Sequence, residues 1–260
     1  MKISFVTASY VAEAIGYPGQ GFNWAEAERA TMEATTPATV ERMLAHLARA
    51  KLDGIELWGA HALPLACHRD DVAEVKAILA RHGVVGTAYA GGLGSAAKDP
   101  AGAEEIFKAA QAFDLPIIAA WLGRDSAPIV AELAQRYHIR VGDENHPEKD
   151  AAALKETIAG YEEWIGVALD TGNLAAQGGD PVKAIYDLGK HLIYLHFKDI
   201  LPGGGHTCCG LGQGIVDVRG VIRALREVGY DGVLSIEIET IDHDPTEEII
   251  ESAQLLRELW

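Results

Sequence analysis

From Ile165 to Asp199 the chain reads IGVALDTGNLAAQGGDPVKAIYDLGKHLIYLHFKD. Two short apolar runs, IGVALD and LIYLHF, flank a stretch with helical periodicity. Each run is apolar nearly throughout, as in a strand covered on both faces. Each also runs out into polar residues: Asp170 and Asn173 after the first, His196, Lys198 and Asp199 at the end of the second. Strands joined through a helix pair in parallel, and the crossover is right-handed.

The same unit recurs along the chain. ISFVTA, GIELWG, GVVGTAYA, PIIAAWLG, HIRVGDE and VLSIEIE are further apolar runs, making eight. Two intervening stretches show helix boundaries clearly. From Val218 the positions Val218, Val221, Ile222, Leu225 and Val228 form one apolar face, with Asp217 as N-cap and Gly229 as the stop. The last helix is expected to take Asp244 as cap and Pro245 as its first residue. Eight strands in strict alternation with eight helices over 260 residues fit a single (β/α)8 TIM barrel domain spanning 1–260. An open doubly wound sheet usually has fewer units. The longest connection, residues 10–37, contains GYPGQGFNW and is predicted to carry a short helix and lie over the active face as a lid.

Composition narrows the partners. The chain is 48% hydrophobic and 23% charged, with a formal net charge of −16. Such a surface repels phosphate backbones and anionic headgroups, so neither nucleic acid nor a membrane is an expected partner. MKISFVTASYVAEA has a faint signal-peptide outline, but Ser4, Thr7, Ser9 and Tyr10 interrupt it, and it reads as the first strand. No apolar run approaches the length of a transmembrane span. Cys67, Cys208 and Cys209 are too few for a disulfide framework, which points to a reducing, cytoplasmic setting. Homo-oligomerisation stays open.

In a barrel of this kind, chemistry collects at the C-terminal ends of the strands. There VGDENHPE supplies Glu144, Asn145 and His146, VALDTGN supplies Asp170 and Asn173, LHFKD supplies His196, Lys198 and Asp199, and LSIEIE supplies Glu237 and Glu239. Each alone reads as an N-cap, a rim residue or a satisfied core histidine. Together they are harder to explain so. Asp170, His196 and Glu237 are embedded in apolar sequence, where an uncompensated charge is costly. Crowded carboxylates need a cation or proton between them. Two Glu, one Asp and one His suit Mn²⁺, Mg²⁺ or Co²⁺, with Zn²⁺ also admissible. Trp58 and His61, in WGAH after the second strand, are candidate substrate contacts, although His61 reads equally well as an ordinary loop residue.

Glu144 in DENHPE, Asp170 in ALDTGN, His196 in HFKD and Glu237 in SIEIE, followed in kind by GLGQGIVD before GYDGVLSIE, resemble the sugar phosphate isomerase/epimerase group of xylose isomerase-like TIM barrels. The match is clear from Val141 to Glu239. It implies that Glu144, Asp170, His196 and Glu237 bind one divalent metal ion, with Glu237 preferred over Glu239. It also implies a metal-dependent isomerase or epimerase acting on a ketose or related polyol carbonyl compound. The metal would polarise the carbonyl, and Glu144 and Glu237 would remove and return protons through an enediolate. Lys198 and Asp199 would support the ligands from behind, while Asn173 and His206 would touch substrate.

Two departures bear on the substrate. Many ketose epimerases have histidine where this chain has Asn173. They also tend to have arginine in the loop that here reads PGGGHTCCGLGQG. His206 and Cys208 stand where endonuclease IV-like relatives place further metal ligands, although one metal is favoured over two. GLGQG could cradle a phosphate, with a plain turn the preferred reading. An inosose dehydratase-like lyase is the alternative activity. Less favoured are an endonuclease IV-like phosphodiesterase and a catalytically silent sugar-binding barrel.

Overall fold

The structure is a computed structural model describing residues 1–203 and 205–260. Eight parallel strands close into a barrel in which neighbours follow the chain round the ring. They are β1 (Lys2–Val6), β2 (Gly54–Trp58), β3 (Val85–Gly92), β4 (Ile117–Trp121), β5 (Arg140–Glu144), β6 (Ile165–Asp170), β7 (Leu192–Phe197) and, after a small hairpin, β10 (Val233–Ile236). The hairpin is formed by β8 (Asp199–Ile200) and β9 (Cys208–Cys209), paired antiparallel. Closure is completed by β1 pairing with both β10 and β2.

Strict one-to-one alternation is corrected in one respect. The described residues contain eleven α-helices, because the first, second and sixth crossovers each carry two. The first connection holds the helix Trp24–Ala34, started by Asn23, whose side chain accepts the Glu26 amide hydrogen at 3.0 Å. The helix Val218–Glu227 is capped as expected, Asp217 Oδ1 accepting from Gly220 N at 2.9 Å. The final helix, Thr246–Leu259, begins one residue later than expected, although Asp244 still accepts from the Thr246 amide.

Side-chain alternation on the strands separates two cores. Leu195 and Phe197 face outward into the main layer between barrel and helices. Tyr194 and His196 point into the tube. Tyr194 packs among Ala88, Ala119 and Ala168, and its hydroxyl donates to Thr87 Oγ1 at 3.0 Å. One large ring thus fills the tube where β3, β4 and β6 offer only methyl groups. His196 sits one layer above that plug, toward the C-terminal rim.

Candidate active site

The DTGN segment shows how local sequence builds the site. Asp170 ends β6, opposite His196 on β7. Its Oδ1 caps the following short helix by accepting from Asn173 N at 2.8 Å, which leaves Oδ2 directed inward. Thr171 Oγ1 donates to the Lys198 carbonyl at 2.7 Å and accepts the Lys198 amide hydrogen at 3.0 Å, clasping the end of β7. Gly172 leaves room for the lysine, since a β-carbon there would meet Lys198 Cγ at 2.5 Å. Asn145, just past β5, holds Asp170 by its backbone. Its Oδ1 accepts from Asp170 N at 2.8 Å and its Nδ2 donates to Asp170 O at 3.0 Å.

Four side chains converge above the plug. One ligand-type atom from each of Glu144, Asp170, His196 and Glu237 lies within 4.8 Å of every other, and all four residues are buried. His196 Nδ1 is 2.9 Å from Glu144 Oε1 and 3.2 Å from Glu237 Oε2. Its other nitrogen, Nε2, is 2.9 Å from Glu56 Oε1. Glu56 is fully buried on β2, and its second oxygen accepts from Ser235 Oγ at 2.6 Å. Lys198 Nζ reaches over the cluster. It donates to Glu239 Oε2 at 2.9 Å and lies 3.0 Å from Asp170 Oδ2 and 3.3 Å from Glu237 Oε2.

The electrostatics follow from this crowding. Burial acts to neutralise His196, but Glu56, Glu237 and Glu144 outweigh it and hold its pKa well above the ordinary range. Burial likewise opposes charge on Lys198 and is overcome by Asp170, Glu237 and Glu239. The two glutamates diverge. Burial favours protonated Glu144, yet the His196 charge and hydrogen bond bring its pKa below normal. Burial of Glu237 prevails over Lys198 and His196, with Glu239 and Asp170 adding repulsion, so its pKa is raised.

The donors fit a divalent cation. Asp170 Oδ2 and Glu237 Oε2 are sealed from water, and despite their nearness to Lys198 neither accepts an aligned hydrogen bond. Buried carboxylate oxygens without partners are expensive unless a cation completes them. Three carboxylates and one imidazole form an oxygen-rich set suited to a hard or borderline metal. With Nδ1 available to a metal, a Nε2–H bond to Glu56 would fix the ring, the arrangement that orients ligating histidines generally.

A cavity of about 720 Å³ opens above the cluster, lined by Glu144, His196 and Glu237 at its floor and by Asn173, Lys198, Glu239 and His206 beside them. Trp24, Trp58 and Trp121 form aromatic walls. The first connection therefore does border the active face, through Trp24 and Glu28. His61 does not. The chain enters a helix, Gly59–Ala66, directly after Trp58, so His61 turns behind the tryptophan ring and lines a separate cavity with Tyr10 and Thr31. His206 and Cys208 also stand outside the four-residue cluster. His206 Nδ1 lies 3.2 Å from Asn173 Oδ1, while Cys208 Sγ is directed to the His206 carbonyl.

Asp199, expected to support the ligands, has another task. Its Oδ2 accepts from Gly212 N and Gly214 N, both at 2.9 Å, and its Oδ1 from Ile200 N at 2.9 Å and Val216 N at 3.0 Å. GLGQG is thus a turn, as expected, whose Gly212 and Gly214 amides join those of Ile200 and Val216 in a cradle already filled by the protein's own carboxylate.

Glu56 and the clamp made by Asn145 were not evident from the strand pattern. For Glu56 the available signal was one charge at an inward position of an otherwise apolar strand.

Comparison with known proteins agrees with this architecture. A curated relative, L-ribulose-5-phosphate 3-epimerase UlaE of Shigella flexneri serotype 5b, is 26% identical over 140 residues, covering 52% of this chain and 49% of that protein. The chain spans about half the length of the curated relatives it matches. Two solved structures share the fold. The probable 3-DHS dehydratase AsbF of Bacillus anthracis has a TM-score of 0.73 and 18% identity, covering 99% of both chains. The IOLI protein with a binding zinc atom has a TM-score of 0.71 and 18% identity, covering 100% of this chain and 98% of that one. The profile described as Xylose isomerase-like TIM barrel matches residues 44–259, and the chain belongs to that family.

Proposed function

We propose that this chain is a divalent-metal-dependent sugar isomerase or epimerase in which Glu144 and Glu237 carry protons to and from a carbon next to a carbonyl. The observation that supports it most is the pairing of these two glutamates in one four-residue cluster at the cavity floor, with inward carboxylate oxygens left without hydrogen bonds. Mn²⁺, Mg²⁺ or Co²⁺ suits the donors best, and a structural neighbour is described with zinc. When bound, the cation would act as a Lewis acid toward the substrate carbonyl and its neighbouring hydroxyl.

The chain's own groups do the rest. An ionised glutamate removes the proton alpha to the carbonyl, and the other glutamate, in its protonated form, stands on the opposite side to return one. Return of the proton to the opposite face inverts the carbon. Return to the neighbouring carbon exchanges ketose for aldose. Lys198 would steady the carboxylates and offer a hydrogen bond to a developing oxyanion. Asn173 and His206 present hydrogen-bonding groups to hydroxyls.

The test is a panel of ketoses incubated in D₂O with the Mn²⁺-loaded protein. Deuterium at the carbon alpha to the carbonyl is the expected result, absent from Glu144→Gln and Glu237→Gln. A lyase of the inosose dehydratase kind would begin with the same proton removal and then lose water, giving an absorbing unsaturated product. If neither variant changed metal content or exchange, the assignment of the two glutamates would be wrong.

A further inference from the structure

Strand-seven loops of TIM barrels commonly hold phosphate through backbone amides. Here those amides are committed elsewhere. Gly212 N, Gly214 N, Val216 N and Ile200 N all donate to the fully buried carboxylate of Asp199. A phosphate entering there would have to expel a covalently attached anion that already has four charge-assisted hydrogen bonds.

The open cavity is no better suited to a dianion. Its lysine, Lys198, is held among Asp170, Glu237 and Glu239, so its charge is already matched. Glu28 and Glu239 face the space as further negative groups, and among the described residues no arginine lines it. His146 and His206 contribute polar edges. What the walls do offer is aromatic and flat. Trp58 packs edge-on to Trp24 with ring centroids 6.1 Å apart. Trp121 lies over Gly94, where a β-carbon would meet its ring at 2.0 Å. Ala90, Gly91 and Gly92 leave the surface between these rings smooth. Apolar walls with a few convergent polar groups suit a neutral polyol, which can lay its C–H face on an indole and direct hydroxyls toward the floor.

We propose that the substrate is an uncharged, unphosphorylated ketose or polyol ketone, selected by the tryptophan walls and by an anion cradle closed by Asp199. This takes the cavity of the proposed function as the substrate site. It sets the chain apart from relatives whose names specify a sugar phosphate.

The experiment uses the Mn²⁺-loaded full chain and ketose pairs differing only in phosphate: fructose with fructose 6-phosphate, ribulose with ribulose 5-phosphate. Binding is read from quenching of tryptophan fluorescence, with inorganic phosphate as a control, and deuterium uptake is followed in parallel. At least one neutral member should bind about tenfold or more tightly than its phosphate ester. Equal or tighter binding of the esters, or no binding of either form, would overturn the inference. Preferential neutral binding with neither deuterium uptake nor isomerised or epimerised product would sustain it while refuting the enolising reading of the site, so the two ideas fail separately.

Discussion

The two halves of the barrel do different work. Strands β5, β6 and β7 and the end of β10 deliver the four convergent ligand-type side chains. Strands β1 to β4 and their connections deliver the apolar part of the cavity walls: Ala8, Trp24, Trp58, the Ala90–Gly92 surface and Trp121. The second half fixes its side chains through paired clamps such as Asn145 on Asp170. The first half shapes a surface through ring packing and small residues. The proposed chemistry demands the former, since a displaced ligand would lose metal and proton transfer alike. On the proposed reading recognition tolerates the latter, so, Asn173 and His206 apart, substrate choice could change on one side while the reaction is kept on the other.

The sharpest way to probe this division is at the glutamates. Glu144→Gln and Glu237→Gln are each expected to lower the exchange rate by about 10²–10⁴-fold, measured as initial deuterium uptake at saturating Mn²⁺. Glu56→Gln tests the one strong exception, a first-half residue bonded to a second-half ligand. It should weaken metal binding by about 10–100-fold in competition with a fluorescent chelator, with the fold intact by circular dichroism. If metal affinity is unchanged, the histidine is positioned without it.

Asp199→Asn tests whether the cradle is structural. Losing charge-assisted hydrogen bonds to the buried carboxylate should cost about 1.5–3 kcal/mol in urea unfolding, with metal affinity kept. Loss of metal instead would tie Asp199 to the ligands after all. The mildest effect is expected at the half-exposed wall residue Trp121. Trp121→Ala should raise KM by roughly tenfold and leave kcat nearly constant, as removal of uniform binding does. A fall in kcat alone would move Trp121 from recognition to chemistry.

What could be read beforehand follows the same division. The runs IGVALD and LIYLHF coincide with β6 and β7, because strands buried on both faces are bounded where polar residues begin. Glu237 lies in the cluster and Glu239 outside it, bonded to Lys198, although alternation gives both the same parity. Depth separated them. Glu56 stayed hidden because its partner, His196, comes 140 residues later and only barrel closure brings them together. His61 was misplaced for a local reason: WGAH reads as a loop, but Gly59 starts a helix at once and rotates the imidazole away. The occupied cradle was invisible too, since GLGQG does not say which anion its amides hold.

Tyr194 has a consequence for the fate of the proton itself. With its ring packed among three alanines beneath His196, Tyr194 stoppers the tube below the proposed acid/base pair, and the cavity above that pair opens at the mouth. On the proposed reading a bound sugar would cover that mouth. On the proposed mechanism, a glutamate that has taken a proton would then keep it until the ligand leaves or the proton is handed back. Isotope from the solvent should therefore enter less than once per catalytic cycle, and the ratio of product formed to label acquired becomes a measure of how tightly the vessel is corked.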